Sequence, residues 1–186
     1  MHFTLCDMFS DLTQNAVEAG ARTITVELDQ SPARIGFRVK DDGKGMTAEE
    51  LQKASDPFYT DGIKHPGRKI GLGIPFLIQT AESTGGTWNI SSEKGRGTLL
   101  ESAFDPTNID TPPVGSVAGF IRQVLTLEGS YEMIVRRTRK TDAGDETSYE
   151  VRRSELLEAL GLAEAGSFTD ANALALLGTY LESMEE

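Results

Sequence analysis

The sequence predicts an α+β fold with a second, smaller α/β unit at its C-terminal end. Three observations predict it. Segments of helical period and segments of strand period interleave along the whole chain. Four short strand patterns at 23–28, 35–39, 87–92 and 98–104 fall in the first part of the sequence. Pro106, Pro112 and Pro113 then mark a junction over residues 106–115, which separates 1–105 from 116–186. A hydrophobic fraction of 38% over 186 residues supplies a real core.

The elements follow in order. Residues 3–19 read as a helix, because Leu5, Met8, Leu12 and Ala16 recur on one side and Gly20 stops it. Strands at 23–28 and 35–39 flank a Ser31-Pro32 turn, and 41–46 is a tight glycine-bearing turn. A short helix over 47–54 has Thr47 as N-cap and Glu50 in the capping-box position. Residues 56–70 lack periodicity and read as a long loop of the functional kind. A helix over 71–84 opens on glycines and ends at Gly85-Gly86, and a hairpin joins 87–92 to 98–104. Beyond the junction come a helix over 117–127, a hairpin of 131–139 with 146–152, and helices over 154–160 and 169–184, with Ser154 and Thr169 as N-caps.

The net charge of −11 argues against nucleic acid or anionic lipid as the main partner. Cys6 is the single cysteine, so no internal disulfide forms; it reads as a small helix residue in a reducing cytoplasm. No basic region followed by an apolar run opens the chain, and no segment has the length of a membrane span, so the expectation is a soluble cytoplasmic protein.

Four features carry chemistry. Asp7, Asp11, Asn15 and Glu18 share one face of the first helix. Such a stripe is ordinarily a solvated face; it is also an oxygen-rich surface suited to Mg²⁺, which keeps several waters. Asp41, Gly43, Gly45 and Met46 belong to a strand-end turn; a carboxylate there can accept an adenine amine where glycines let backbone approach a flat ring. Gly71, Leu72 and Gly73 open a helix whose free N–H groups suit phosphate, behind the basic residues Lys64, His65, Arg68 and Lys69. They form neither a Walker A loop nor a dinucleotide fingerprint. Gly95, Arg96, Gly97 and Thr98 form a hairpin turn, and Thr98 can contact a purine.

Each feature alone has a structural explanation. Their order and spacing resemble the GHKL superfamily of gyrase-, chaperone- and histidine-kinase-type ATPases over about the first three-fifths of the chain. Residues 11–16 match the N box, 41–45 the G1 box, 71–73 the G2 box, and 95–98 the closing Gly-Thr element. The resemblance implies a Bergerat-type two-layer sandwich, a mixed sheet with helices on one face. It implies ATP and Mg²⁺ as cofactors, Asn15 as metal ligand, and Asp41 with Thr98 at the adenine. Gly43, Gly45 and Met46 would lie around the base, and Lys69, Gly71, Leu72 and Gly73 at the phosphates under a lid over about 57–70. Asp11 falls where hydrolytic members carry a glutamate base, and aspartate is one methylene shorter. The resemblance therefore implies a kinase or ATPase, with a nucleotide-sensing module that binds without turnover as the alternative.

His2 and His65 fit no phosphoacceptor domain, so transfer would go to another protein, as in the anti-sigma kinases of the superfamily. The step 56–58 and the junction 110–115 also resemble small bacterial ATP-binding proteins encoded beside iron-only hydrogenase subunits. That implies a protein partner such as a redox complex or a phosphoacceptor protein. The 116–186 unit is expected to dock a partner, and Arg136, Arg137, Arg139 and Lys140 to form a solvated strand edge. The sequence leaves the oligomeric state open.

Overall fold

The computed structural model describes residues 4–56, 73–162, 168 and 170–186. Helix α1 (Leu5–Glu18) is capped by Thr4, whose hydroxyl accepts the Asp7 N–H while the Asp7 carboxylate accepts the Thr4 N–H. Asp7 thus serves the cap, and the polar stripe contributes only its later residues to a site. Pro113 and Val114 offer carbonyls to the N–H groups of Leu5 and Cys6 at 2.9 Å. The proline-bearing junction thereby satisfies donors that the first turn of any helix leaves open. Cys6 is buried, and burial pushes its thiol up to about 12, so it is an inert packing residue.

Strands β1 (Thr23–Ser31) and β2 (Arg34–Asp41) pair antiparallel, and helix α2 (Ala48–Ser55) carries the expected Thr47/Glu50 capping box. Helix α3 (Gly73–Thr84) precedes the antiparallel hairpin of β3 (Thr87–Glu93) and β4 (Gly97–Phe104). Helix α4 (Val117–Leu125), β5 (Glu132–Lys140), β6 (Glu146–Arg152), α5 (Arg153–Ala159) and α6 (Ala171–Glu185) complete the chain.

These strands form one sheet in the order β3-β4-β2-β1-β5-β6. Only β1 and β5 are parallel, so the sheet is mixed. The C-terminal segment has the expected helix-hairpin-helix content, but its strands extend the first sheet rather than building their own. The physical reason lies in β1. Ile24, Val26 and Leu28 need covering on one face, and the free edge of β1 needs a partner, which β5 supplies from Thr23↔Glu132 to Gln30↔Arg139. Packing follows the same rule. Phe9 of α1 stacks on Phe37 of β2 at 4.0 Å, and Phe120 of α4 meets both rings edge-on at 6.2–6.3 Å.

Helices α1, α3 and α4 cover the face bearing Ile24, Val26, Phe37, Leu100 and Met133. The opposite face is ionic: Arg38 joins Glu27 and Glu101, and Arg136 joins Glu27 and Glu150. This is the two-layer sandwich expected. Two capping assignments are corrected. Helix α5 begins at Arg153 with no side-chain cap, so Ser154 lies inside it, and Asp170 rather than Thr169 caps α6. The cluster Arg136 to Lys140 is no solvated edge, since β5 is internal and Arg137 is only 2% exposed. No helix among the described residues is long and apolar enough to cross a membrane.

Candidate functional site

A cleft of about 600 Å³ opens between α1, the end of β2, α2 and the β3–β4 hairpin. Leu12, Asn15, Ala16, Glu18 and Ala19 form the α1 wall. Val39, Asp41 and Leu100 form the floor, with Thr98 beside them, and Lys44, Gly45, Met46, Glu50 and Lys94 form the rim. Asn15 and Asp41, far apart in sequence, therefore open into one space.

Asp41 is 8% exposed at the last position of β2, opposite Thr98 in the ladder. Its Oδ1 accepts the Gly43 N–H at 2.8 Å. Burial is the largest influence on its carboxyl and holds the pKa above the usual carboxylate value; backbone N–H groups of Gly43 and Thr98 oppose that rise. Asp42 points the other way and accepts the Arg22 and Thr23 N–H groups at 2.7 and 2.9 Å, which lower its pKa. The paired carboxylates thus split tasks: Asp42 ties the turn to the start of β1, and Asp41 faces the cleft.

The glycines have a reason beyond approach to a ligand. Gly45 has φ +56°, and a Cβ there would stand 1.9 Å from the Glu93 carbonyl oxygen. Gly97 has φ +104°, and its Cβ would stand 2.0 Å from the Asp41 carbonyl oxygen. The 41–46 turn and the hairpin are pressed backbone to backbone, with Gly95 N–H donating to Lys44 O at 2.8 Å.

Ser92 is the residue that motif reading misses. Its hydroxyl accepts the Met46 N–H at 2.8 Å, donates to Gly97 O at 3.0 Å, and lies 2.9 Å from the Thr98 hydroxyl. It fixes Met46 and Thr98 together at the cleft rim. No sequence signal points to it; its place opposite Thr98 in the ladder reveals it. Lys44 and Lys94 are two further cations at the cleft, with Lys94 held on Glu50 at 2.8 and 2.9 Å.

Asp11 is exposed and is not among the residues lining the cleft; it stands beside the first turn of α3, near Gly73. Gly73 is buried at that helix start. Lys69, Gly71 and Leu72, and the lid expected over 57–70, lie outside the described residues.

The family model described as "Histidine kinase-, DNA gyrase B-, and HSP90-like ATPase" matches residues 3–107. The chain belongs to this family. Among curated relatives of this histidine-kinase-like ATPase domain is Sporulation kinase C of Bacillus subtilis, 29% identical over 52% of this chain and 22% of that protein. Sensor kinase CckA of Brucella abortus is 30% identical over 54% of this chain and 11% of that protein. Sensor histidine kinase ZraS of Escherichia coli is 31% identical over 56% and 22%. The aligned part thus spans between a tenth and a quarter of those kinases. Among solved structures, the MutL ATPase domain of Aquifex aeolicus complexed with ADP overlays with a TM-score of 0.44 at 18% identity, over 90% of this chain and 71% of that one.

Proposed function

We propose that the cleft is a Mg-ATP site and that the protein is a kinase or ATPase acting on a partner protein. The observation that carries this reading is that Asn15 and Asp41 line one cleft in a chain of this ATPase family. Asp41 accepts the adenine amine, with Thr98 beside it, and Met46 packs at the base. Gly73, with Gly71, Leu72 and Lys69, belongs to the phosphate end, where a helix N-terminus favours anions.

Asn15 is a fitting Mg²⁺ ligand. The described residues contain no group of three or more His, Cys, Asp or Glu able to cage a metal. An ion held by one amide oxygen, phosphate oxygens and water matches the preference of Mg²⁺ for sparse protein ligation. Bound there, the metal would neutralise phosphate charge.

In the hydrolytic reading Asp11 orients a water and takes its proton as the water oxygen bonds to the γ-phosphorus and ADP departs with the bridging electron pair. The shorter aspartate at position 11, where hydrolytic members carry a glutamate, favours a second reading, a nucleotide-sensing module that binds without turnover. Asp11→Asn separates the two. With a catalytic Asp11, phosphate release or phosphotransfer falls at least a hundredfold while ATP affinity by calorimetry stays within about twofold. Equal turnover by variant and parent removes Asp11 from the chemistry. The partner is a protein, either a phosphoacceptor or a redox complex. The kinase names of the relatives support the former, and the 110–115 junction likeness supports the latter. Incubation with labelled Mg-ATP and candidate partners decides between transfer, release and neither.

A further inference from the structure

We propose that the protein forms a two-fold dimer by antiparallel pairing of β6 with β6 of a second copy. Strand β6 ends the sheet, so among the described residues one of its edges has no strand partner. Thr141 N–H donates to Asp145 O at the hairpin, and antiparallel rungs alternate from there. Residues 147, 149 and 151 therefore bond to β5. Glu146, Ser148, Glu150 and Arg152 turn their N–H and C=O groups outward.

A second copy fits this edge in one full-length register, centred on Tyr149 opposite Tyr149 of the other copy. Glu146 then faces Arg152 of the other copy at both ends, and Ser148 faces Glu150. A slip by one residue in the centre sets Glu146 opposite Glu150 in one direction, or Glu150 opposite itself in the other. Like charges directly opposite are unfavourable, so the charge pattern admits one register and disfavours its neighbours. This reconciles a charged edge, usually a deterrent to pairing, with a specific partner.

A second observation lies on the helix side of the same edge. A mainly apolar groove of about 500 Å³ runs between Val151, α5 and α6. Leu176 and Tyr180 of α6 line it and are 62% and 45% exposed. A two-fold perpendicular to the sheet keeps both helix layers on one face, with these apolar residues of both copies flanking the seam. Strand pairing supplies direction, and this apolar surface supplies the hydrophobic driving force.

The test is sedimentation velocity on the full chain from micromolar to sub-millimolar concentration. The parent is expected to show a concentration-dependent dimer. Glu146→Arg and Arg152→Glu each place like charges at both ends of the seam and should weaken dimerisation about tenfold or more. The double variant restores the opposite pairs and should recover most of the loss. Within each copy Glu146 pairs with Lys140 and Arg152 with Glu150, both at 2.8 Å, so circular dichroism and urea unfolding of each variant separate loss of the fold from loss of the dimer. A monomer throughout, or a dimer that neither single variant weakens, overturns the proposal. So does a double variant weaker than both singles.

Discussion

Asp41→Asn is expected to weaken ATP binding by about 1.5–3 kcal/mol, roughly ten- to a hundredfold in Kd, without loss of folding stability. The asparagine Oδ1 can keep the bond from Gly43 N–H. Its amide NH₂ then faces the adenine amine, so a donor meets a donor. The stability side follows from the raised pKa. A carboxyl whose folded pKa exceeds its unfolded value binds its proton more tightly in the fold. Its stabilisation is complete below the unfolded pKa and is lost as pH rises through the folded one. At neutral pH the ionised Asp41 therefore costs stability, and a neutral amide removes that cost. Affinity has the opposite sign: it should fall on acidification, starting above the ordinary carboxylate range, as the acceptor takes a proton. Titration calorimetry across pH checks the affinity, because the part of the acid limb due to Asp41 is absent from Asp41→Asn, and urea unfolding across pH checks the stability. Unchanged affinity in the variant would displace adenine from this wall.

Glu185→Ala should cost about 3 kcal/mol or more of folding stability, although it lies far from the cleft. Arg137 is 2% exposed and donates through Nε and Nη2 to the Glu185 carboxylate at 3.2 and 3.4 Å. It also reaches Gln30 Oε1 at 2.6 Å and Thr138 O at 3.0 Å. The Tyr149 hydroxyl donates to the same carboxylate, and Arg139 donates to the Glu185 carbonyl oxygen. Removing the carboxylate strands a buried guanidinium, and that uncompensated charge accounts for most of the loss. Arg137→Met combined with Glu185→Leu should recover much of it, because an apolar pair leaves no charge to desolvate. Urea unfolding of the parent and the two variants tests this. Equal loss in the single and double variants would assign the effect to packing alone.

The parts legible in sequence were those set by short-range chemistry. Thr47 and Glu50 cap α2 because a hydroxyl and a carboxylate three residues apart bond each other's backbone whatever surrounds them. The β3–β4 hairpin follows from alternation and a glycine-bearing turn. Asp41 and Asn15 were legible because their spacing is a family pattern, and the structure brings both to one cleft. Illegible parts depend on distant partners. Nothing in the pattern of β5 says that β1 will be its neighbour, because strand periodicity fixes a face and not a partner. Arg137 looked like a member of an exposed basic run, since its burial comes from Gln30 and Glu185 at opposite ends of the sequence. Asp7 looked like part of the polar stripe until its bond to Thr4 placed it in the cap. Ser92 carries no motif and matters only through the atoms around it.

The parallel pairing of β1 with β5 has a consequence for synthesis. The cleft that Asn15 and Asp41 line is built from residues that precede β5, yet Thr23 to Gln30 wait for residues 132–139 before their second ladder exists. During translation the family-matched segment emerges with the edge of β1 bare and with Phe9 and Phe37 uncovered by Phe120. Long-range pairing of this kind is slow and leaves sticky surface exposed in the interval. The outer edge of β1 thus closes only after the ribosome has delivered the far side of the sheet.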